Sequence, residues 1–224
     1  MGRLINFSSL NQFYHSFCSQ IHNMKNILIL FAHPKFEKSK TNKALVQSIK
    51  NKEGVTFHDL YEQYPDFHID VAFEKNLLEQ HDVVIWHHPF YWYSCPPLMK
   101  QWIDVVLEYG WAYGPGGNAL ESKKCLQVVT TGGTEKVYCS KGKNFYSVNE
   151  FLRPFEQTAR LCGMEYLPPY AVMGTHTLSE EDMDKHAAQY QKIIECLQKD
   201  KSIIDLKDCV FQTDILQQKN YNSL

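Results

Sequence analysis

The segment from Asn26 to Asn42 limits the fold of this chain more than any other. Residues 27–32 are Ile-Leu-Ile-Leu-Phe-Ala, an apolar run without the alternation of a half-exposed strand. Such a run predicts a strand covered on both faces, as in the interior of a parallel sheet. His33-Pro34 ends this strand, a polar loop follows, and the apolar spacing from Ala44 to Ile49 predicts a helix.

The loop and the helix start after this first strand can hold an anion. Backbone N–H groups without partners and the positive end of the helix dipole face whatever lies above the strand. Ser39, Thr41 and Asn42 add side-chain donors, and four nearby lysines raise the local potential. The stretch has neither a P-loop motif nor a Rossmann fingerprint. An ordinary capped strand, loop and helix is the alternative interpretation.

Strands and helices alternate along the rest of the chain. The further predicted strands are 54–60, 82–87, 124–131 and 165–172, and the further predicted helices are 72–80, 96–109, 147–162 and 179–199. Pro168-Pro169 interrupts the last strand, which suits an edge position. This alternation predicts an α/β fold with a doubly wound, five-stranded parallel sheet. Together with the anion-binding loop after the first strand, it predicts the strand order 2-1-3-4-5.

In such a sheet the ligand lies at the carboxyl ends of the strands where the winding reverses. That rule selects the loops 33–42, 88–96 and 130–144. The second loop contains four consecutive aromatic residues that cannot all enter the core, and the third contains a glycine pair. A phosphate pocket, flat apolar walls and a glycine-rich edge together predict a flavin site. The alternative is that the aromatics belong to the core and the glycines form a plain turn.

Composition excludes several other functions. The net charge of −2 gives no electrostatic footprint for nucleic acid. Seven cysteines without a Cys-x-x-Cys pair favour free thiols in a reducing compartment, so we expect a cytoplasmic protein. No segment has the apolar length needed to span a bilayer. The histidines lack the spacing of a metal site, so no metal is predicted.

Three regions are expected along the 224 residues. Residues 1–23 lack acidic residues and a continuous apolar segment, so they are expected to be a disordered N-terminal extension, and Met24 is an alternative start. Residues 24–200 form the flavin-binding domain. Residues 201–224 form a C-terminal tail with an irregular apolar pattern that can pack on the domain or on a partner.

Specific motifs carry a resemblance to a known family over roughly residues 26–200. The segment HPFYWYSCPPLMKQWID, together with AHP, SKTN, GWAYG and TTGG, resembles the flavodoxin-like NAD(P)H:quinone oxidoreductases. Within that family, LYEQYPDFHID and PGGNAL are most similar to the ancillary flavoproteins of bacterial glutathione-gated potassium efflux systems. The aromatic segment with its continuation is the specific part, whereas AHP or TTGG alone would be weak.

The resemblance implies a homodimer that binds FMN, in preference to FAD, at the subunit interface. The residues implied to hold the phosphate and ribityl end are His33, Ser39, Lys40, Thr41 and Asn42. Those implied to line the isoalloxazine ring are Phe90, Tyr91, Trp92 and Tyr93, and those at its edge are Thr130, Thr131, Gly132 and Gly133.

Further residues are implied to act on the substrate. Tyr138 corresponds to a tyrosine over the flavin and is the candidate catalytic residue. Trp111 and Tyr113 are expected to wall the substrate slot, from the same or the partner subunit. Asn144 stands where quinone reductases of this family carry a histidine, which puts a proton relay through this loop in doubt.

The expected function is two-electron transfer from NAD(P)H through the flavin to a quinone, with ping-pong kinetics. The alternative is a regulatory ancillary subunit of a potassium efflux transporter, bound peripherally at the inner face of the cell membrane. A one-electron carrier flavodoxin is a third interpretation, which the small net charge disfavours because such carriers tend to be strongly acidic.

Overall fold

A computed structural model of the protein describes residues 24–200. The predicted N-terminal extension and C-terminal tail lie outside the described residues. Within the described part, strands alternate with helices from Ile27 onward, as the sequence predicts.

The sheet has the predicted parallel topology. Its strands are β1 (Ile27–Phe31), β2 (Val55–Asp59), β3 (Val83–Pro89), β4 (Lys124–Thr130), β5 (Glu165–Tyr166) and β6 (Tyr170–Val172). The order is β2-β1-β3-β4, and both β5 and β6 pair with the outer side of β4. All of these pairings are parallel. The 2-1-3-4-5 order is therefore confirmed, with two short segments in the fifth position.

Two strands differ in extent from the prediction. The fifth strand is split because Pro168-Pro169 cannot donate to the ladder, so β5 pairs near the start of β4 and β6 near its end. β3 is longer than expected, since it continues through His88 and Pro89, which lies opposite Thr130. A proline is tolerated here because it is the last residue of the strand, and the next N–H, that of Phe90, donates to Thr130 O.

Seven α-helices connect and cover the strands of the described part. They are α1 (Lys40–Gln47), α2 (Leu60–Gln63), α3 (Val71–Glu79), α4 (Pro97–Val106), α5 (Val148–Phe151), α6 (Arg153–Leu161) and α7 (Glu180–Gln198). The helix predicted over 147–162 is therefore two helices that meet at Leu152, with Pro154 in the first turn of the second. Within residues 24–200 no helix is long and apolar enough to cross a membrane.

Helices cover both faces of the sheet. Successive side chains of a strand point to opposite faces, so Ile29 and Ile85 pack under α1 and α7, whereas Leu30 and Trp86 belong to the core under α3, α4 and α6. All five residues of β1 are fully buried. Because both faces are filled, a ligand can approach the sheet only at the ends of its strands.

A buried carboxylate connects β2, α3 and α4 in the core that α3, α4 and α6 cover. Glu74 of α3 is inaccessible to solvent. It accepts hydrogen bonds from Tyr64 Oη at 2.5 Å and from Trp102 Nε1 at 2.7 Å, and its Oε1 lies 2.7 Å from His58 Nε2. Such a carboxylate is tolerated in a core because its oxygens are satisfied. The network positions α3 and α4 on the sheet.

Candidate functional site

The carboxyl ends of β1, β3 and β4 lie side by side. Phe31, the last residue of β1, is opposite His87, and Pro89 at the end of β3 is opposite Thr130 at the end of β4. Ala32 N–H donates to His87 O, which extends the first pairing by one residue. The loops that follow these three strands therefore begin at one edge of the sheet, where the sequence predicts the ligand.

The first of these loops leads into a helix whose N-terminus is available to an anion. Ser39 is the N-cap of α1, and its Oγ accepts the N–H of Asn42 at 3.3 Å. The first helical hydrogen bond runs from Lys43 N–H to Ser39 O. The N–H groups of Lys40 and Thr41 thus precede the ladder and are oriented for a ligand above the strand ends.

The side chain of Asn42 joins this helix start to the two other strands. Its Nδ2 donates to Ser39 Oγ at 2.9 Å and to Thr130 Oγ1 at 3.0 Å. Its Oδ1 lies 3.1 Å from Nε2 of His87, which is fully buried on β3. Asn42 is itself buried. The predicted phosphate-binding residues are therefore held against the end of β4, where the side chain of Thr130 faces the helix start.

His33 contributes a neutral imidazole to the same edge. Burial is the largest influence on its pKa, which lies below the ordinary histidine value. Its Nδ1 accepts the N–H of Lys35 at 3.1 Å, so Nε2 carries the ring proton and remains a donor. The ring also contacts that of Tyr91 edge to face, with centroids 6.1 Å apart. This contact connects the first loop to the second.

The second loop turns sharply at two exposed aromatic residues. Tyr91 O accepts the N–H of Ser94 at 3.0 Å, and the central residues Trp92 and Tyr93 both have positive φ, 47° and 65°. Glycine and asparagine are the residues that normally occupy such positions. Trp92 is 91% exposed. Backbone strain combined with an uncovered indole is characteristic of a binding surface rather than of a structural turn.

Beneath this turn lies an aromatic cluster that we define as Phe90, Tyr93, Tyr138 and Phe151. The buried ring of Phe90 lies 5.7 Å from that of Tyr138 and 5.8 Å from that of Phe151. Phe151 is the last residue of α5 and was not anticipated, because only its place in a helical pattern distinguishes it in the sequence. The aromatic cluster joins the second loop to the segment that follows the glycine pair.

The glycine pair is required by crowding from the protein itself. A Cβ on Gly132 would lie 2.5 Å from His176 Nε2, and one on Gly133 would lie 2.7 Å from Val137 and 2.9 Å from the ring of Tyr138. Thr131 Oγ1 donates to Gly133 O at 2.6 Å and stabilises this tight conformation. Any side chain at either glycine would displace these neighbours.

A fourth loop, residues 173–178, backs the glycine pair and was not predicted. Gly174 N–H donates to Gly133 O at 2.9 Å, and Thr175 N–H donates to Thr131 O at 3.0 Å. This loop follows β6, the second half of the split strand, so its position depends on a pairing that local sequence does not reveal. It supports the three residues Thr131, Gly132 and Gly133 from behind.

Tyr138 belongs to the aromatic cluster, whereas Asn144 contacts the cluster from outside, through Tyr93. Burial, with a smaller contribution from Tyr93, raises the pKa of Tyr138 above its usual value of 10.0, so the hydroxyl is protonated at neutral pH. Asn144 Oδ1 accepts the hydroxyl of Tyr93 at 3.3 Å. Where the resemblance implies a histidine, this chain therefore has a side chain that orients Tyr93 and cannot titrate.

Comparison with known proteins agrees with the strand order and with these motifs. The sequence model of the family described as flavodoxin-like fold matches residues 25–194. This chain belongs to the flavodoxin-like family. The family resemblance and the fold inferred from the sequence are thereby confirmed.

One related sequence and two solved structures show which proteins this flavodoxin-like chain is similar to. The glutathione-regulated potassium-efflux system ancillary protein KefG of Erwinia tasmaniensis is 43% identical over 164 residues, which are 73% of this chain and 89% of that protein. The structure of general stress protein 14 of Treponema denticola in complex with FMN has a TM-score of 0.74 and 40% identity, covering 77% and 99% of the two chains. An NADPH-quinone reductase structure from P. pentosaceus has a TM-score of 0.69 and 32% identity, covering 75% and 97%.

Two predicted substrate-slot residues of this flavodoxin-like chain lie away from the site within one subunit. Trp111 Nε1 donates to Glu79 Oε1 at 3.1 Å, and Lys75 Nζ lies 4.9 Å from the centroid of the Trp111 ring. Glu79 ends α3, next to the amino end of β3, so Trp111 and its neighbour Tyr113 are near the opposite edge of the sheet. Within this chain neither residue reaches the site, and their role remains a prediction.

The histidines of this flavodoxin-like chain are dispersed. His87 contacts Tyr190 on one face of β3, with centroids 5.5 Å apart, and His88 contacts Phe155 on the other at 5.8 Å. Among residues 24–200, no group of three or more histidine, cysteine or acidic side chains is arranged to hold a metal.

Proposed function

We propose that this protein binds FMN at the carboxyl edge of its sheet and, as a homodimer, transfers two electrons from NAD(P)H to a quinone. The observation that carries the proposal is the bridge made by Asn42, which joins a helix N-terminus to the end of β4 beside the strained, exposed turn at Trp92-Tyr93. The FMN complex of a 40%-identical relative and the 32%-identical NADPH-quinone reductase support it.

The residues at the helix start fit the phosphate of such a cofactor. The N–H groups of Lys40 and Thr41, the hydroxyl of Ser39 and the neutral His33 supply donors without a buried negative charge nearby. Helix N-termini favour anions because their free N–H groups and the helix dipole act together. In this proposal the exposed side chain of Lys40 adds an attractive charge that solvent partly screens.

The two following loops fit a planar ring. The turn at Tyr91, Trp92 and Tyr93 forms a flat wall, and the tightly packed turn at Gly132-Gly133 provides backbone N–H donors at the ring edge. The chemistry that a bound flavin supplies is acceptance of a hydride from NAD(P)H and delivery of two electrons to a quinone. The aromatic walls orient each substrate over the ring and exclude water from it.

Tyr138 is the proposed catalytic residue. Its raised pKa keeps the phenol protonated, so the hydroxyl can donate a hydrogen bond to a quinone oxygen as charge develops there. Because a single face of the slot serves both substrates, NAD(P)+ must leave before the quinone enters, and the kinetics are ping-pong. Trp111 and Tyr113 of the second subunit close the slot in the homodimer.

The visible spectrum of the purified protein tests the proposal. Flavin absorption that bleaches when NADH or NADPH is added under nitrogen, and returns when quinone is added, is the expected result. Parallel lines in double-reciprocal plots are expected for ping-pong kinetics, and intersecting lines would contradict it. A protein that retains no flavin after reconstitution with FMN overturns the whole proposal.

Two N-cap variants separate cofactor binding from helix stability. Ser39→Ala removes a cap at the proposed phosphate site, whereas Ser179→Ala removes the equivalent cap of α7, whose Oγ accepts the N–H of Asp182 at 3.1 Å. Each is expected to lower the free energy of unfolding by about 1 kcal/mol. Only Ser39→Ala should weaken FMN binding, and equal effects of both variants on FMN would contradict the assignment.

A second role is supported by the 43% identity to KefG over 89% of that protein. In it, the chain is the ancillary subunit of a glutathione-gated potassium efflux transporter and binds at the cytoplasmic face of the membrane. Co-purification of a tagged full-length chain with such a transporter supports this role. Full quinone reductase activity in the pure protein, with no association in membranes, favours the enzyme alone.

A further inference from the structure

His87 is a buried titratable residue to which the proposed function gives no role. It is completely inaccessible on β3, one strand away from the helix start. Its Nε2 lies 3.1 Å from Asn42 Oδ1, and its Nδ1 has no hydrogen-bond partner among the described residues. Burial, reinforced by the neighbouring His88 and His33, lowers its pKa to about 3, so the ring is neutral in the cell.

The hydrogen bonds of Asn42 have a definite direction in the structure. Its amide oxygen faces His87, and its amide N–H groups face the hydroxyls of Ser39 and Thr130. Ser39 Oγ accepts a second bond, from the backbone N–H of Asn42. Asn42 therefore uses both lone pairs of the Ser39 hydroxyl and one lone pair of the Thr130 hydroxyl, and each hydroxyl keeps its hydrogen for an external acceptor.

The opposite orientation of the amide would reverse the polarity of the site. Both hydroxyls would then donate to the amide oxygen and present lone pairs to the ligand, which an anion would repel. His87 would have to accept through Nε2 and carry its proton on the unpartnered Nδ1. A buried N–H without an acceptor is rarer in proteins than an unsatisfied acceptor, so the neutral imidazole favours the observed orientation.

We propose that His87 is a positioning residue for the bound phosphate. Its Nε2–H fixes the orientation of Asn42, and Asn42 in turn leaves the Ser39 and Thr130 hydroxyls as donors to the phosphate. The resemblance implies Thr130 at the ring edge, and this proposal assigns its hydroxyl to the phosphate instead because that hydroxyl is bonded to Asn42 at the helix start. The inference rests on the proposed function, because the phosphate is that of the flavin nucleotide. The inference assigns a role to His87, which does not touch the ligand. It also makes the affinity for FMN depend on the direction of the hydrogen bonds of Asn42.

The test compares FMN with riboflavin, which lacks the phosphate. Flavin-fluorescence quenching of the full-length apoprotein gives the dissociation constant of each. In His87→Met, which removes the donor, the preference for FMN over riboflavin should fall about tenfold, as expected for losing bonds to a charged acceptor. His87→Gln places an amide N–H near the position of Nε2 and should restore the preference to within about threefold of the wild type.

The outcomes distinguish failure of the proposed function from failure of the role of His87. Wild-type protein that binds neither flavin refutes the proposed function. Wild-type protein that prefers FMN, together with an unchanged preference in His87→Met or no recovery in His87→Gln, refutes the role of His87 alone.

A second pair of variants covers the case in which His87→Met fails to fold. Thr130→Val removes one hydroxyl at nearly constant shape, and Thr130→Ser keeps it. The FMN preference should fall about tenfold in the first and stay within about threefold of the wild type in the second. In the double variant His87→Gln/Thr130→Val, the preference for FMN over riboflavin should fall by the same factor as in Thr130→Val alone. Equal preferences in Thr130→Val and Thr130→Ser overturn the inference.

Discussion

The rings of Tyr93 and Phe151 stack with their centroids 4.8 Å apart and their planes inclined by 23°. Tyr93 belongs to the turn after β3, whereas Phe151 ends a short helix 58 positions further along the sequence. The contact holds an exposed turn in place before any ligand arrives. A wall that is ordered in advance lowers the entropic cost of binding.

Replacing Phe151 should therefore affect the turn more than the fold. Phe151→Leu removes the stacked ring from the half-buried aromatic cluster, so we expect a loss of about 1 kcal/mol in the free energy of unfolding and FMN binding weakened about fivefold. Urea unfolding and fluorescence titration measure the two effects. Phe73→Leu on α3 is the control: it should leave FMN binding unchanged, and equal weakening in both variants would refute the link to the turn.

Trp92 offers a test of the strained turn. In Trp92→Gly the relief of a positive φ offsets the greater freedom of glycine in the unfolded chain, so stability should change by less than about 1 kcal/mol. Loss of the exposed indole should weaken FMN binding about tenfold, measured by titration. Ser122→Gly makes the same backbone change at φ 65° near the other end of the sheet and should not alter binding. Unchanged FMN affinity in Trp92→Gly would show that the indole does not form the wall.

The buried Glu74 should dominate the stability of its side of the core. Glu74→Ala leaves Tyr64, Trp102 and His58 without their acceptor, and we expect a loss of roughly 3–5 kcal/mol in the free energy of unfolding. Denaturant unfolding gives the number. Glu62→Ala, at an exposed glutamate on α2, is the matched control and should change stability by less than about 0.5 kcal/mol. A loss below about 1 kcal/mol in Glu74→Ala would mean that water replaces the carboxylate.

Stability should fall in mild acid because of two buried histidines. Burial is the main cause that lowers the pKa of His87 to about 3 and that of His88 to about 4, against about 6.5 for a solvent-exposed histidine. Below pH 6.5 the unfolded chain takes up protons that the folded chain refuses, so this contribution is complete above that pH and is lost as the pH falls toward 3 or 4.

The expected loss between pH 7 and pH 5 is roughly 2 kcal/mol per histidine. Urea unfolding at several pH values measures it. His88→Gln keeps an amide beside Pro89 and Gln127 but cannot titrate, and it should remove about half of the slope. A variant with the slope of the wild type would place the acid sensitivity elsewhere.

Much of the fold could be predicted because its signals are local. The apolar run of β1 has no exposed face, Ser39 caps the helix that follows it, and Pro168-Pro169 interrupts the outer strand. Each of these properties depends on neighbouring residues only. The winding rule then placed the loops at one edge of the sheet, since the order of parallel strands determines where the winding reverses.

What could not be predicted depends on partners distant in the sequence. Asn42 and Thr130 are 88 residues apart, and nothing near either residue indicates the other. His176 explains why position 132 is glycine, yet it lies on a loop whose position depends on β6. The extension of β3 through Pro89 depends in the same way on its neighbour β4. Pairing of distant elements, rather than local preference, determines these details.

The split outer strand has a consequence for how the molecule opens. β5 and β6 are held to β4 by two and three residue pairs, so this margin should be the first part of the sheet to exchange its amide hydrogens with solvent. The loop that supports Gly132 and Gly133 begins where β6 ends. Brief detachment of β6 from β4 would therefore release one side of the proposed FMN site while the remaining strands stay folded, and would give bound FMN a route of exchange.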